Sequence, residues 1–398
     1  MEEKRYEVKN INSKNTIKIE KTTIIALIIA AVIFAALFMA VHEAKEPDIE
    51  ADDILEYEKG TVVTVLSDST QQDPASDGAY RGEQMLTVKV ESGRYKGEEL
   101  LVYNYVGPLY GVPVKEGDGV TLAVSTRPGG DHTATVYEYN RIPAVAIILA
   151  VFFLITILVG GRTGLKSLVG LVFTVLCLFL LLIPLLLKGA PTILTTFLMC
   201  AYISFVSFTI LGGIHQKTVS AFLGTLAGTA LAMFFGLAAQ ALTRINGLRV
   251  SNVEPLLQLR QSGMEIGLRG LLVAGIIISA LGAVMDVAMS ISSSLAEVHA
   301  ANPALGVRDL FRSGMNIGRD MVGTMTNTLI LAFLGSGFTL IIYLYSLGLS
   351  FQQLFSSAYV SIEIISGISS SIGMILSIPL TALISSVLLA RDNTRQGD

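Results

Sequence analysis

Long apolar runs separated by short polar segments make up most of the chain. A helix that crosses a bilayer needs about 20 mostly apolar residues, and the pattern predicts about eight such spans. They cover residues 23–41, 143–160, 167–187, 191–211, 218–241, 268–288, 322–345 and 369–390. The pattern therefore predicts an α-helical polytopic membrane protein with one anchor helix (23–41), a polar insert and a seven-helix membrane domain (143–390).

The insert, residues 42–142, has the pattern of a small all-β domain. Five runs rich in β-branched and aromatic residues alternate with turns that contain Gly, Pro and Asp. These runs are GTVVTVLSD, QMLTVKVES, GEELLVYNY, DGVTLAVS and HTATVYEYN. Five short strands in so few residues predict an OB-like or half-open barrel.

Composition and charge agree with this division. Of the 398 residues, 52% are hydrophobic and only 15% are charged, whereas soluble chains carry about 25% charged residues. The insert holds 19 of the 32 acidic residues and nine of the 28 basic ones. With no broad basic face to neutralise phosphates, a nucleic-acid binder is excluded. The acidity either concentrates cations near the membrane or only solubilises the surface.

Orientation follows from the basic tail, residues 1–22, which carries six basic and four acidic residues. The positive-inside rule places this tail in the cytoplasm, the insert outside and the tail 391–398 in the cytoplasm. A cleaved signal peptide is the alternative for residues 23–41. We favour an uncleaved anchor, because the apolar run exceeds a typical signal core and no small-x-small cleavage site follows it.

One loop does not fit the positive-inside rule. Residues 242–267 are predicted to lie outside, yet they contain Arg244, Arg249 and Arg260. Either this segment is tied into the protein, or one predicted span does not cross the membrane.

No motif predicts a metal, a cofactor or an ATP site. Cys177 and Cys200 lie in apolar runs, where a thiol behaves as a small buried hydrophobe. The four histidines are scattered, and neither C-x-x-C nor H-E-x-x-H occurs. There is also no G-x-x-x-x-G-K-[ST] and no G-x-S-x-G. We therefore expect neither a primary pump nor a serine hydrolase, and no enzymatic activity.

Ionisable residues inside apolar spans are functional candidates because their burial in a bilayer is costly. Asp286, Asp320 and Glu363 are the three that stand out. At helical spacing Asp286 shares one stripe with Gly275, Ser279, Gly282 and Ser290. Small residues allow a second helix to approach, so we expect Asp286 to point into the protein.

Two further stripes have helical spacing. Asp320, Thr324, Asn327 and Thr328 form a polar stripe, and the adjacent Arg319 points about 100° away from Asp320. A second stripe has small residues every four positions and is expected to serve helix packing alone. It comprises Gly224, Gly228, Ala232 and Gly236.

An internal similarity links the two halves of the membrane domain. SGM-x-IG occurs at 262–267 and 313–318, and an acidic residue followed after four residues by ISSS occurs at Asp286 and at Glu363. With eight spans, the paired elements have opposite sidedness, which is typical of an inverted repeat around a midplane site (262–295 and 313–372). Chance similarity between segments of small residues is the alternative. The candidate substrate or ion pathway comprises Asp286, Ser292, Ser293, Asn316, Arg319, Asp320, Thr324, Asn327, Glu363, Ser369 and Ser370.

The stretches ALGAVMDVAMSISSSLAEVHAANP (280–303) and SGMNIGRDMVGTMTNTLILAFLGS (313–336) resemble the YibE/F-like family of bacterial multi-spanning proteins. The resemblance is expected to extend over residues 145–390. It implies a bacterial cytoplasmic-membrane protein, and the anchor and outer β domain fit the family's layout. It implies no activity or site residues.

Several functions fit these patterns. The leading hypothesis is a transporter that couples a small solute or ion to protons or cations. One alternative is a scaffold or sensor whose outer β domain binds an envelope protein. An intramembrane aspartyl-type enzyme would need Asp286 and Glu363 to share a proton, and a channel would need charge rings from several copies. The bilayer is the expected partner, and the oligomeric state is open.

Overall fold

The computed structural model describes residues 2–42, 54–126, 132–250, 253–261 and 263–395. The chain divides into two compact units, Lys45–Leu158 and Met1–Ala44 with Val159–Asp398. The first unit contains a small β-barrel and the second a helical bundle. A mostly helical membrane region with an all-β insert is therefore confirmed.

Six strands form the barrel. They are β1 (Ile54–Asp68), β2 (Gln71–Asp73), β3 (Ala79–Val90), β4 (Glu99–Val106), β5 (Gly119–Thr126) and β6 (His132–Tyr139). The five long strands close in the order β1-β5-β6-β4-β3-β1, and only the β4–β6 pair is parallel. This is the connectivity of an OB-fold. Each predicted run overlaps one long strand, although β1 and β3 begin several residues before the predicted runs, and the short β2 was not predicted.

The barrel core is apolar with a small polar network inside it. Buried and more exposed side chains alternate along β3, β4 and β5, as a strand with one inward face requires. The inward side chains include Leu86, Val102 and Leu122, one on each strand, which are fully buried. The buried Gln84 side chain accepts hydrogen bonds from Asn104 Nδ2 (2.9 Å) and the Val114 amide (3.0 Å). It also donates to the Val114 carbonyl at 3.0 Å.

Eleven α-helices lie in the described residues. They are α1 (Glu2–His42), α2 (Ile142–Cys177), α3 (Ile183–Leu187), α4 (Thr192–Gly212), α5 (Gln216–Thr243), α6 (Val253–Gln261), α7 (Leu271–Ala301), α8 (Val307–Ser336), α9 (Phe338–Ser346), α10 (Phe351–Ser356) and α11 (Ala358–Arg395). Within the described ranges, six helical stretches are long and apolar enough to cross a membrane, and α8 with α9 forms a bent pair that brings the number to seven if the pair is one span.

Two of the predicted spans differ from single straight helices. The stretch Ile142–Leu187 is helical over 46 residues, but its backbone breaks at Gly161 (φ 54°, ψ −132°). Unbroken, it would be about 69 Å long, more than twice the hydrocarbon thickness. The span predicted at 322–345 is instead bent by 61° between α8 and α9, at Gly337.

Contacts between helix ends fix the directions of the bundle helices. At one end, the Lys188 end, the Lys188 ammonium donates to the Val41 carbonyl, and Thr192 Oγ1 donates to the Gly267 carbonyl at 2.8 Å. At the opposite end of the bundle, which we call the Lys217 end because α5 begins there, the Ile214 amide donates to Thr23 Oγ1 at 3.2 Å. Thus α1 and α5 run in one direction, and α4 and α7 run in the other.

The arginine-containing segment 242–267 is packed at the Lys188 end. Asn246 caps a short 3-10 turn by accepting from the Leu248 amide at 3.0 Å. A Cβ at Gly247 would overlap the Leu268 carbonyl, so the segment lies directly against the start of α7. This arrangement fits the first alternative above, a segment tied into the protein.

Three helices form the centre of the bundle. A Cβ at Gly228 of α5 would lie 2.6 Å from Ser377 Cβ of α11 and 2.7 Å from Val284 Cγ1 of α7. Gly236 of α5 faces Ile276 of α7, further toward the Lys188 end. Helix α5 is therefore antiparallel to both α7 and α11, which are parallel to each other.

Candidate functional site

Helix α8 carries its polar side chains on the side that faces away from the bundle. We call this exposed surface the polar membrane face. It comprises Asn316, Arg319, Asp320, Gly323, Thr324 and Asn327, all of which are exposed. On the opposite side, Gly314 and Gly318 are buried and pack against Ala382 and Ile378 of α11. Helix α8 is thus amphipathic, with its apolar side inward.

The depth of this face follows from the packing of α8 on α11. Gly314 lies level with Ala382, and at the other end Phe333 contacts the position of a Gly367 Cβ at 3.4 Å. The intervening part of α11 lies inside the candidate span Ala358–Arg391. The polar membrane face therefore lies at the depth of a helix that is apolar enough to cross the bilayer.

Two charges of this face have no partner among the described residues. Neither Arg319 nor Asp320 has an ion pair or a side-chain hydrogen bond with any residue that the structure describes. Thr324 donates only to the Met321 carbonyl of its own helix, at 3.2 Å. An ion without a counter-ion at membrane depth is costly, so something outside the described chain must solvate it.

Asp286 also lies on an open surface. It is exposed on α7, and no described atom lies within 4 Å of a Cβ at Gly275 or Gly282 of the same stripe. The sequence led us to expect a helix across this stripe and an inward Asp286. Helix α11 reaches this stripe at Ser279, but no described helix covers Gly275, Gly282 or Asp286, because α4, α5, α8 and α11 pack against other positions of α7.

The structure separates Asp286 from Glu363. Ser279 Oγ of α7 lies 2.9 Å from Ser370 Oγ of α11, which puts these two serines at one level. Asp286 follows Ser279 by seven residues, and Glu363 precedes Ser370 by seven. On parallel helices the two carboxylates are therefore about 21 Å apart along the axis. They do not form one site, and the shared proton of an aspartyl-type enzyme is not available to them.

Glu363 lines a cavity of its own. The cavity has a volume of about 400 Å³ and lies between the end of α8, helices α9 and α10, and the start of α11. Its wall is apolar and aromatic, and Glu363 is its one acidic member; its other residues include Phe333, Tyr345, Phe355 and Ile364. Glu363 is half-buried there. Asp286 does not reach this cavity.

The sequence alone did not reveal this cavity. Residues 322–345 appeared as one span, whereas the break at Gly337 turns α9 away from α8. Two local signals precede α11: the Gly335-Ser336-Gly337 run, and a capping box in which Ser350 Oγ accepts from the Gln353 amide at 3.3 Å. Both are typical of helix boundaries.

The serine motifs serve helix contacts. Ser292 lies 3.1 Å from Ser220 Oγ of α5 and donates to the Lys217 carbonyl at 2.5 Å. Ser370 bonds Ser279 of α7, as described above. Ser369 is buried and Ser293 is half-buried. Both ISSS segments lie within continuous helices rather than at unwound helix ends.

The two SGM segments adopt different local structures. Residues 263–267 form a turn and loop before α7, whereas 313–318 lie inside α8; Ser262 is outside the described residues. The inverted repeat stays a prediction. The small-residue stripe of α5, in contrast, packs as predicted: Gly224 contacts Thr381, and Gly228 contacts Ser377.

The remaining chemistry is sparse. Cys177 and Cys200 are both buried and unpaired, as their apolar context predicts. Within the described ranges, no three His, Cys, Asp or Glu side chains are close enough to hold a metal ion.

Amphipathic and apolar helices of membrane-spanning length, joined to a small β-barrel, define a polytopic membrane protein. Within this class, the chain belongs to the YibE/F-like protein family, whose model matches residues 148–391. This confirms the resemblance noted from the sequence. The match covers the bundle from α2 onward and leaves the barrel outside it. A search of curated proteins finds no match, and a search of solved structures finds none either.

Proposed function

We propose that this protein is a proton- or cation-coupled transporter of the bacterial cytoplasmic membrane. The polar membrane face of α8 and the open stripe of α7 around Asp286 line its pathway. The observation that carries the proposal is the exposure of Arg319, Asp320 and Asp286 at the depth of membrane-spanning helices. Hydrocarbon solvates such groups poorly, so a water-filled path is the environment that suits them.

Asp286 and Asp320 lie at nearly the same depth, although they face different sides of the bundle. Gly228 lies against both Val284 and Ser377, and Gly318 packs against Ile378, one residue further along α11. The proposal therefore has two carboxylates at one level of the membrane, each able to bind a proton or a cation. Glu363, about 21 Å away along the axis, would serve a separate step at the Lys188 end. The lack of an ATP-binding motif favours a secondary mechanism.

The same proposal includes eight membrane crossings, with both termini in the cytoplasm and the barrel outside. Helix α2 with α3 would cross twice, because a break at Gly161 divides a stretch too long for one crossing. The Lys217 end, which includes Lys21, Arg162 and Lys166, would be cytoplasmic by the positive-inside rule. We expect no enzymatic activity and no nucleic-acid partner.

The test is flux through the purified protein in liposomes loaded with the pH dye pyranine. Imposed Na⁺ or K⁺ gradients should drive proton movement in the parent, measured both with and without an added mixture of small solutes. Asp286→Asn should reduce that movement to the level of empty liposomes. Glu297→Gln is the matched control, because Glu297 is exposed on the same helix but three turns closer to the Lys217 end.

Equal flux in Asp286→Asn and the parent would refute the role of Asp286. If the parent protein remained monodisperse but showed no flux under any gradient, the proposal that it is a transporter would be refuted.

A second candidate function is a sensor whose barrel binds an envelope partner. The observation that favours it is a row of exposed tyrosines on the outer barrel surface: Tyr57, Tyr103, Tyr105 and Tyr137 are 46–56% exposed. Amphipathic aromatic side chains are enriched at protein interfaces. Deleting residues 50–138 would abolish a sensor's response, whereas a transporter would retain measurable flux.

A further inference from the structure

The polar membrane face is exposed on the outside of the described bundle, where a second protein surface could enclose it. It points directly away from the packed side of α8, where Gly314 and Gly318 contact α11. Lipid cannot satisfy it, and no described residue pairs with its charges. The apolar helix at 142–160 cannot neutralise them either, because its side chains include no charged group.

We propose that a second copy of this chain covers the polar membrane face, with Arg319 of each copy paired to Asp320 of the other. The interface itself follows from the geometry of α8; its part in the pathway rests on the proposed function. In this arrangement the pathway lies between two copies, and Asn316, Thr324 and Asn327 line it.

Symmetry supports a second copy over an unrelated partner. All copies of a membrane protein share one orientation, so a two-fold axis lies along the membrane normal and brings residues of equal depth together. Arg319 and Asp320 are adjacent, hence at nearly equal depth, and point about 100° apart on the helix. One copy's arginine can therefore meet the other's aspartate, and the axis repeats the pair. An isologous contact thus neutralises all four charges.

The small residue in the face fits a close helix contact. Nothing lies within 4 Å of a Cβ at Gly323, and membrane helices approach each other most closely at small residues. Gly323 lies one turn from Arg319 on the same exposed side. The facing helix can then approach at the level where the two ion pairs form.

The first experiment reverses the charges in differently tagged copies that are co-expressed and purified in nanodiscs. Arg319→Asp alone, or Asp320→Arg alone, places like charges opposite each other in a homodimer. Each should lower recovery of the two-tag complex by about tenfold or more. Co-expressing Arg319→Asp in one copy with Asp320→Arg in the other restores opposite charges at both contacts, and recovery should return to the parent level.

The second experiment uses single cysteines in a Cys177→Ala, Cys200→Ala background. Gly323→Cys and Asn327→Cys should form intermolecular disulfides in native membranes under mild oxidation. Leu198→Cys on α4 and Leu383→Cys on α11 are the controls, because both leucines are exposed but apolar. They should give no disulfide.

The inference would be overturned by a monomeric parent, by mixed charge reversals that associate no better than either alone, or by disulfides that form at the control positions as readily as at Gly323. Cross-linking that occurs only to a different protein would also do so. Association is measured without flux, so the two proposals fail separately. If the protein is a dimer that shows no flux, only the transport proposal is refuted. If it is a monomer that shows flux, only the proposal of a second copy is refuted.

Discussion

The barrel and helix α8 of the bundle place charged side chains in opposite environments. In the barrel, the buried Glu58 carboxylate has its partners inside the domain: Glu58 is 4% exposed, and its carboxylate accepts from Ser92 Oγ (2.8 Å) and the Arg94 amide (3.0 Å). In the bundle, α8 turns its charges outward and leaves them unpaired by the described chain. The buried Glu58 charge is thus satisfied within the barrel, whereas the exposed charges of α8 have no partner among the described residues.

The two regions also differ in how their elements approach each other. Barrel strands meet through alternating side chains such as Leu86 and Leu122, which fill a closed core. Helices α5 and α11 of the bundle meet through glycine and hydroxyl residues, with Gly224 and Gly228 against Thr381 and Ser377. At this contact close backbone approach replaces side-chain volume, because lipid gives no hydrophobic drive for helix association. Added volume should therefore be most harmful at this contact.

The largest effect is expected for Gly228→Leu. A Cβ there already lies 2.6 Å and 2.7 Å from side chains of α11 and α7, and leucine adds three more carbons. Overpacking costs about 1–3 kcal/mol and occasionally more, and because this substitution meets two helices at once, we expect folded protein to be lost. Size-exclusion profiles of a fluorescent fusion and thermal unfolding in detergent would measure this.

Gly282→Leu is the matched control for this substitution. Gly282 lies on α7 at comparable depth, but nothing lies within 4 Å of its Cβ position. Its profile and melting temperature should stay close to those of the parent. If both variants were equally stable, the close packing of α5 on α7 and α11 would be wrong.

The barrel should respond most strongly to loss of its internal network. Gln84→Ala leaves the buried amide and carbonyl of Val114 without partners, and each orphaned group costs about 1–3 kcal/mol. Hydrogen exchange of the full-length protein should rise in β3, in β4 and around residue 114. Gln72→Ala is the control, because Gln72 is exposed and bonds only Tyr80 OH, at 3.2 Å. Unchanged exchange in Gln84→Ala would show that the network is dispensable.

Much of this fold was predictable because its signals are local. Alternation located the five long strands, and apolar length located the helices of the bundle. The break at Gly337 was missed because α8 and α9 together retain the composition of one span. Breaks of this kind depend on what the flanking helices contact, and composition does not record contacts.

The candidate site was predictable in its residues but not in its arrangement. Spacing placed Asp320, Thr324 and Asn327 on one stripe of α8, and the structure agrees. Spacing could not show that this stripe points outward, or that Asp286 and Glu363 lie about 21 Å apart. Both depend on the register between helices, which Gly228 and the Ser279–Ser370 contact determine. Such contacts join residues more than 50 positions apart in the sequence.

A smaller effect is expected at the Ser279–Ser370 contact between α7 and α11. A double-mutant cycle with Ser279→Ala and Ser370→Ala should give a coupling free energy near 0.6 kcal/mol, the average for such bonds in membranes. Unfolding free energies in bicelles would measure it. Ser279→Ala with Ser377→Ala is the control cycle, since Ser377 Oγ donates to the Met374 carbonyl of its own helix. Equal coupling in both cycles would contradict the proposed register.

The smallest effect concerns the turn after β1, where hydrogen bonds from Thr70 hold the pKa of Asp68 below its usual value. The Thr70 hydroxyl, at 2.7 Å, contributes most. A lowered folded-state pKa means that the stabilisation is full above about pH 4 and is lost as the pH falls through the folded-state value. Thr70→Val should raise this pKa and flatten the pH dependence of stability, by less than about 0.5 kcal/mol because Asp68 is exposed.

Hydrogen exchange of the β1–β2 turn between pH 3 and pH 6 would test this. The control is Thr64→Val, because Thr64 is exposed on β1 and lacks this contact; its pH profile should equal that of the parent. If the Thr70→Val profile also equalled that of the parent, the Thr70 hydroxyl would not be the cause of the lowered pKa.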